Sequence, residues 1–322
     1  MFNKKIDGLK DIIIEKNIKS RGIGLIWSIF RLVLILGISF IILYPLLVQF
    51  SSSLMRPDEL FDPTVKWIPR NISFDSYKIA FDFMNYSKAF INSFIFVNLI
   101  TVLQLISCAF VGYSLARFGF KGKSLLFALV ILTLVVPPQI ILIPMYLNFR
   151  FFDLYGLMPG GGINLLDSYW PMTLMAITGT GLRNGLFIYI MREFFKGMPD
   201  QLEEAAYIDG AGPLKTFLKV MVPGAGSAFL IVFIFSFVWQ WNDVLYISFF
   251  AGNVTLLPLS LVNFPERLAS YWSRTYGEAL PDPMRAIVQN SGMILFITPV
   301  LCIFGILQKY FIESVERTGI VG

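Results

Sequence analysis

The chain has 322 residues, 56% hydrophobic and 15% charged, whereas a soluble domain has about 25% charged residues, so an integral membrane protein is indicated. There is no histidine, and the two cysteines, Cys108 and Cys302, lie inside apolar runs, which argues against a metal site, a disulfide and histidine-based proton transfer. The net charge of +5 would suit nucleic acid only if the basic residues formed a patch.

Residues 1–31 are predicted to form a cytoplasmic segment ahead of the membrane domain. Residues 1–21 carry six basic residues, and four apolar residues among them follow helical spacing: Phe2, Ile6, Leu9 and Ile13. This pattern is typical of an amphipathic helix lying on a membrane face. A partly ordered tail is an alternative that the same residues allow.

Six apolar runs are long enough to cross a membrane, for which a helix needs about 20 residues. They are Leu32–Phe50, Phe90–Leu115, Leu125–Tyr146, Trp170–Met191, Ser227–Phe250 and Ile287–Leu307. The sequence therefore predicts an all-α membrane protein with a six-helix transmembrane domain over residues 32–308. A cytoplasmic C-terminal tail is expected at residues 309–322.

Lysine and arginine are concentrated in alternate loops of this predicted topology. With the N-terminus inside, the inside segments hold 16 of them and the outside loops hold 8. By the positive-inside rule, both termini are predicted to be cytoplasmic. The positive charge is then a topology signal, and no nucleic-acid partner is expected.

The predicted cytoplasmic loop at residues 199–223 has the sequence PDQLEEAAYIDGAGPLKTFLKVMVP. Pro199 suits the first position of a helix, acidic residues favour its first turn, and Gly210 and Gly212 favour its end. Pro213 begins a second helix. The predicted apolar faces are Leu202, Ala205 and Ala206 in the first helix and Leu214, Phe217, Leu218 and Met221 in the second.

These residues predict a helix–turn–helix whose first helix presents a small, nearly flat face. Such a face allows close approach of another protein, and a rigid connection to two spans would transmit displacement. An ordinary connector at the membrane surface is the alternative interpretation.

Residues 204–223 resemble the EAA signature of ABC importer permeases. Glu204-Ala205-Ala206 is followed after three residues by Gly210, and Val220-Met221-Val222-Pro223 stands where the signature has Ile-x-Leu-Pro. Further segments resemble the carbohydrate-uptake branch of the maltose and multiple-sugar type: Asn92-Ser93, GYSLARFGFKGK at 112–123, Trp241-Asn242 and a glycine-bearing tail at 318–322 that lacks the usual lysine.

The resemblance implies the fold of a type I ABC importer permease in the bacterial cytoplasmic membrane, surrounded by membrane lipid. It implies a second homologous permease subunit, a cytoplasmic ABC ATPase dimer that binds the ATP, and an extracytoplasmic sugar-binding protein. No cofactor, metal or catalytic residue is expected in this chain. The loop would be a coupling helix that docks on the ATPase, and its expected coupling residues are Glu203, Glu204, Ala205, Ala206, Asp209, Gly210 and Gly212.

The expected cargo is an oligosaccharide or a related carbohydrate. An ABC permease for another solute, such as glycerol phosphate or a peptide, is an alternative. An ion-coupled secondary transporter and a membrane scaffold without transport activity are two others.

A polar and aromatic cluster in the fifth span is a second candidate site. It consists of Trp239, Gln240, Trp241, Asn242 and Asp243. Aromatic faces beside amide and carboxylate groups suit a sugar path. Helix packing or a position at the membrane interface would also explain them. Arg183, the other ionisable residue predicted inside a span, is a possible partner of Asp243.

Two glycine-containing segments imitate nucleotide-binding motifs. The sequence GFKGKS at 119–124 ends like a phosphate-binding loop, but Arg117 occupies the position of the required glycine and a membrane span precedes it. Gly179, Gly181 and Gly185 fall within a predicted span, where they predict close helix packing.

Overall fold

The computed structural model describes residues 2–62, 64–65, 67–153, 156 and 162–319, with side chains in residues 2–23, 25 and 311–319 left out. The regular secondary structure of the described residues is helical apart from one bridge between Phe152 and Ile163. The amphipathic pattern predicted for residues 1–21 and the glycine-bearing tail rest on side chains outside the described residues.

The helices follow one another in chain order with short connections. The first seven are α1 (Phe2–Ser53), α2 (Asp75–Phe83), α3 (Tyr86–Arg117), α4 (Lys123–Val135), α5 (Pro138–Arg150), α6 (Trp170–Ile177) and α7 (Asn184–Gly197). They are followed by α8 (Gln201–Ile208), α9 (Pro213–Thr216), a π-helical segment (Phe217–Met221), α10 (Val222–Gly224), α11 (Gly226–Trp241), α12 (Leu245–Phe250), α13 (Leu257–Tyr276) and α14 (Asp282–Gly319).

Three stretches in the described residues are long and apolar enough to cross a membrane as single helices. They are Ile26–Ser53 in α1, Tyr86–Arg117, and Asp282–Tyr310 in α14, and they contain the predicted first, second and sixth spans. Two bent helix pairs raise the number to five if each pair is one span. Six continuous spans are therefore not observed in this part of the chain.

The predicted third span, Leu125–Tyr146, is broken at two prolines. Helices α4 and α5 meet at an angle of 103°. Pro137 and Pro138 have no N–H to donate, and a residue before proline is driven out of helical geometry. Val136 and Pro137 accordingly have extended backbone, with ψ of 120° and 129°.

The predicted fourth span, Trp170–Met191, is also broken. Helix α6 ends at Ile177 and α7 begins at Asn184, with Gly179 and Arg183 in the left-handed conformation between them. The predicted fifth span is shorter than expected, since α11 ends at Trp241 and a new helix begins at Leu245.

Helix α3 is the centre of the packing. It contacts α6, α7, α11 and α13, and its closest neighbour is α7. The closest approach is at Gly112, where an added Cβ would lie 2.7 Å from Cβ of Met191 and 2.9 Å from the backbone nitrogen of Arg192. A second such contact holds Gly185 on α7 against α4, with 2.9 Å between its hypothetical Cβ and the carbonyl oxygen of Val130. Close packing at Gly185 agrees with the sequence prediction, whereas a Cβ on Gly179 would meet nothing within 4 Å.

Two sets of contacts lie at opposite ends of α3. At its N-terminal end, Ser93 accepts a hydrogen bond of 2.7 Å from the backbone nitrogen of Leu257, and Asn92 donates one of 3.0 Å to the carbonyl of Thr255. At its C-terminal end, Arg117 pairs with Asp200. The segments 199–223 and 253–257 therefore lie at opposite ends of the same spanning helix, as the predicted topology requires.

We expect Gly112→Ala to destabilise the protein by about 1–3 kcal/mol, because α3 and α7 must separate to admit the methyl group. Gly37→Ala is the control, since its Cβ would meet nothing within 4 Å in the middle of α1. Thermal unfolding of both variants in detergent measures the difference. Equal unfolding temperatures would contradict the close α3–α7 contact.

Candidate functional site

Helix α8 begins at Gln201 with Asp200 as its N-cap, two residues after the Pro199 that the sequence predicted as its first position. The backbone nitrogen of Leu202 donates to the carbonyl of Pro199 at 3.3 Å, and those of Glu203 and Glu204 donate to the carbonyl of Asp200 at 3.0 and 3.1 Å. Asp200, Glu203 and Glu204 bring negative charge to this end, where the helix dipole favours it.

The C-terminal end of α8 is a Schellman motif built on Gly210. This glycine has φ of +78°, a conformation that side chains disfavour. Its nitrogen donates to the carbonyl of Tyr207 at 3.0 Å, and the nitrogen of Ala211 donates to that of Ala206 at 2.9 Å. Gly212 differs, because its φ of −77° suits any residue and its Cβ would meet no atom within 4 Å. Of the two predicted turn glycines, only Gly210 has a conformation that needs glycine.

The two faces of α8 differ from the predicted ones. Glu203 and Ala206, one turn apart, are buried at 8% exposure each. Glu204 and Ala205 are exposed, together with Leu202 at 42% and Ile208 at 86%. Ala205 and Ala206 therefore lie on different faces of α8, one exposed and one buried.

Glu203 is held by two residues from the C-terminal end of α3. The hydroxyl of Tyr113 donates to Oε1 of Glu203 at 2.5 Å. Nε of Arg117 lies 3.3 Å from Oε2 in an ion pair that lacks hydrogen-bond geometry. Nη2 of Arg117 donates to the carbonyl of Met198 at 2.5 Å, and Nη1 pairs with Asp200. We call Tyr113, Arg117 and Glu203 the α3–α8 clamp.

The second part of the loop is anchored by aromatic packing. Phe217 is buried against Tyr113 and Phe195, with ring centroids 4.7 and 5.9 Å apart, and Met221 is fully buried. Leu214 and Leu218 of the same predicted apolar face are exposed.

The loop therefore has a buried attachment and an exposed outer surface. The outer surface, which we call the loop surface, is a mixture of apolar, acidic and basic groups: Leu202, Glu204, Ala205, Ile208, Asp209, Leu214, Lys215, Leu218 and Lys219. A rigid exposed surface of this kind suits protein docking.

The polar cluster of the fifth span does not converge on one point. Trp241 is fully buried and donates from Nε1 to the carbonyl of Phe296 at 3.2 Å, so it joins α11 to α14. Trp239 packs on the ring of Phe187, with centroids 5.6 Å apart. Asn242 is exposed and donates to its own helix, at the carbonyl of Val238. The packing interpretation fits Trp241 best.

Asp243 and Arg183 do not form an ion pair in the described part of the chain. The guanidinium of Arg183 lies 4.2 Å from the centroid of the Trp239 ring. Asp243 is 8% exposed, its Oδ1 accepts a hydrogen bond of 3.0 Å from the nitrogen of Tyr246, and its Oδ2 has no partner. A buried carboxylate oxygen without a partner is unfavourable and keeps Asp243 a candidate for the solute path.

A buried polar network on α3, missed in the sequence, supports the broken fourth span. Nε2 of Gln104 donates to the carbonyl of Leu182 at 3.0 Å and to Oδ1 of Asn184 at 2.5 Å. Its Oε1 accepts from Ser236 at 2.6 Å and Gln240 at 3.2 Å. The sequence signal was a glutamine inside an apolar run, a type of residue that joins helices within membranes.

The part of the chain that the structure describes contains no group of three side chains suited to hold a metal ion.

Residues 109–317 match the family described as "Binding-protein-dependent transport system inner membrane component". The match covers α4 to α13 with the loop 199–223, the C-terminal end of α3 from Ala109 to Arg117, and most of α14.

Several characterised proteins are similar over most of their length. The arabinooligosaccharides transport system permease protein AraQ of Bacillus subtilis (strain 168) is 27% identical over 92% of this chain and 98% of the relative. The osmoprotective compounds uptake permease protein GgtD of Synechocystis sp. is 30% identical over 87% of this chain and 88% of the relative. The trehalose transport system permease protein SugB of Mycobacterium tuberculosis is 29% identical over 87% of this chain and 93% of the relative.

The fold is shared with a chain from the crystal structure of a bacterial ABC transporter involved in the import of the acidic polysaccharide alginate. The TM-score is 0.70 at 22% identity, and the alignment covers 89% of this chain and 96% of that one.

The Schellman motif predicts that Gly210→Ala weakens the C-terminal end of α8 by about 1–2 kcal/mol, because alanine in the left-handed conformation is strained. Gly212→Ala is the matched control, two residues away in unstrained backbone. Hydrogen exchange of the α8 amides should accelerate in the first variant only. The same exchange rates in both would show that the turn does not depend on the glycine conformation.

Proposed function

Because the chain belongs to the family of inner membrane components of binding-protein-dependent transport systems, we propose that it is the permease subunit of an ATP-driven ABC importer for oligosaccharides or related carbohydrates. As a transport subunit, it provides the path across the membrane. The hydrolysis of ATP takes place in a separate subunit, so this chain itself binds no cofactor.

The names of the relatives support the cargo class. Two of the three quoted proteins are named for the transport of arabinooligosaccharides and trehalose, and the third for osmoprotective compounds. Nothing among these names favours glycerol phosphate, peptides or an ion-coupled carrier.

The observation that carries the proposal is the division of α8 into a buried and an exposed face. Ile208 is 86% exposed on a short helix whose opposite side, at Glu203 and Ala206, is buried against the rest of the chain. Together with the exposed Leu202, Leu214 and Leu218, this side chain gives the loop an exposed apolar surface, which favours a partner protein. We propose that the partner is a cytoplasmic ABC ATPase dimer and that the loop is its coupling helix.

The coupling residues then divide into two roles. Glu204, Ala205 and Asp209 are exposed and suit contact with the ATPase. Gly210 shapes the turn, while Glu203 and Ala206 attach α8 to the chain. Gly212 follows the turn without a conformational role of its own.

The remaining partners and the topology are part of the same proposal. A second homologous permease would complete the pathway, an extracytoplasmic sugar-binding protein would deliver the cargo, and lipid would cover the exposed apolar sides of α1 and α14. The broken segments α4–α5 and α6–α7 would supply the third and fourth of six spans. Both termini would be cytoplasmic, on the side of the coupling loop.

The coupling proposal is tested with the permease co-expressed with its ATPase, its partner permease and its sugar-binding protein. We expect Glu204→Lys to abolish co-purification of the ATPase and ATP-dependent sugar uptake, because it replaces an acidic group of the loop surface with a basic one. Glu278→Lys is the control for ATPase association, since Glu278 is exposed between α13 and α14, away from the loop. Normal ATPase association in Glu204→Lys would refute the docking role.

The solute-path interpretation of Asp243 makes a separate prediction. Asp243→Asn keeps an oxygen to accept the hydrogen bond from Tyr246 but removes the negative charge. We expect a modest fall in the rate of sugar uptake at unchanged permease abundance. Uptake kinetics equal to those of the wild type would remove Asp243 from the path.

A further inference from the structure

The C-terminal end of α3 carries Tyr113 and Arg117 in the segment GYSLARFGFKGK, to which docking assigns no role. We propose that the α3–α8 clamp is the joint through which displacement of α8 reaches the membrane-spanning helices, so that its three members are positioning residues for transport. The inference rests on the proposed function, since it assumes that an ATPase moves α8.

The clamp is enclosed on both sides. The side chain of Arg117 is 9% exposed and that of Glu203 is 11% exposed. The ring of Tyr113 packs edge-on against Phe118 and Phe195, with centroids 5.6 and 5.5 Å apart. Charged groups buried in this way are strongly dependent on their partners, because a lone buried charge is costly.

The clamp lies on the opposite face of α8 from the loop surface. Glu203 points to α3, while its neighbour Glu204 is exposed. Among the hydrogen bonds and ion pairs of the described residues, those of Tyr113 and Arg117 are the ones that tie α8 and its first turn to a spanning helix. Docking and attachment therefore use different side chains of the same short helix.

Helix α3 can carry a displacement onward because it is unbroken from Tyr86 to Arg117. Thirteen residues before Arg117, about 20 Å along the helix, lies Gln104. Its side chain holds the carbonyl of Leu182 in the break between α6 and α7, and accepts from Ser236 and Gln240 on α11. A movement of α3 at the clamp therefore reaches both the broken segment and α11.

Other groups near the clamp hold it in place without touching α8. Lys123 donates from Nζ to the carbonyls of Ala116 and Phe118 at 3.1 and 3.0 Å, which caps the C-terminal end of α3. Gly112 lets α3 lie against α7 one residue before Tyr113. Four residues of the segment 112–123 thus support the attachment of α8 to α3: Gly112, Tyr113, Arg117 and Lys123.

The test uses Tyr113→Phe and Glu203→Gln in the complete complex with ATPase, partner permease and sugar-binding protein. Tyr113→Phe keeps the aromatic packing and removes only the donor to Glu203. The matched controls are Tyr189→Phe and Glu193→Gln on α7: Tyr189 makes no hydrogen bond from its hydroxyl within the described residues, and Glu193 is 41% exposed.

We expect the two clamp variants to retain the ATPase subunits and to hydrolyse ATP, while the sugar transported per ATP falls about tenfold. Tyr113→Phe loses a hydrogen bond to a charged group, and Glu203→Gln loses the charge that pairs with Arg117. The control variants should keep the wild-type ratio. The loss in the double variant Tyr113→Phe/Glu203→Gln should be smaller than the two single losses combined, since both changes weaken the contacts of the same side chain: the first removes the donor to Glu203, and the second keeps an acceptor oxygen but removes the charge.

Three outcomes would overturn the clamp: a wild-type ratio of sugar to ATP in both single variants, loss of ATPase association in parallel with uptake, or additive losses in the double variant. A failure of the proposed function is distinguishable from these, because the wild-type complex itself would then show no ATP-dependent uptake.

Discussion

Inside a membrane, every backbone N–H and C=O must find a partner within the protein, and this constraint explains why α3 is the organising helix. The chain leaves helical geometry between Ile177 and Asn184, where carbonyl groups lose their helical partners. Gln104 on α3 provides a donor for one of them, that of Leu182, and Ser107 provides another for Ala176 at 2.6 Å. The unbroken helix α3 therefore stabilises the break between α6 and α7 through two polar side chains, Gln104 and Ser107.

Sequence patterns predicted the features that depend on local chemistry. Long apolar runs located the cores of α1, α3 and α14, and Gly210 located the end of α8, because span length and helix ends are set by the residues themselves; Pro199 lies two residues before the start of α8. The breaks in the third and fourth spans were visible only as interrupting prolines and glycines. Their geometry depends on which neighbour supplies hydrogen bonds, and a single sequence does not contain that information.

The assignment of faces was less predictable. Five consecutive residues, 239–243, cannot share one face of a helix, because each is rotated by about 100° from the last. They accordingly reach α7, α3, α14, α11 itself and the first turn of α12. The buried face of α8 was equally hard to predict. Glu203 is buried because it contacts Arg117 and Tyr113, some 90 residues earlier in the chain. A pattern of acids at a helix start does not distinguish a docking group from an anchor.

The separation of attachment and outer surface on α8 has a consequence for how such an assembly can diversify. If the proposed coupling role holds, substituting Ile208 or Glu204 changes the surface that the ATPase contacts, yet leaves Glu203 and its contacts with Tyr113 and Arg117 unchanged. On the proposed coupling role, one ATPase subunit could then be exchanged for another, or shared among several transport systems, by substitutions at a few outward-facing positions. The α3–α8 clamp would stay the same while the docking residues diverge.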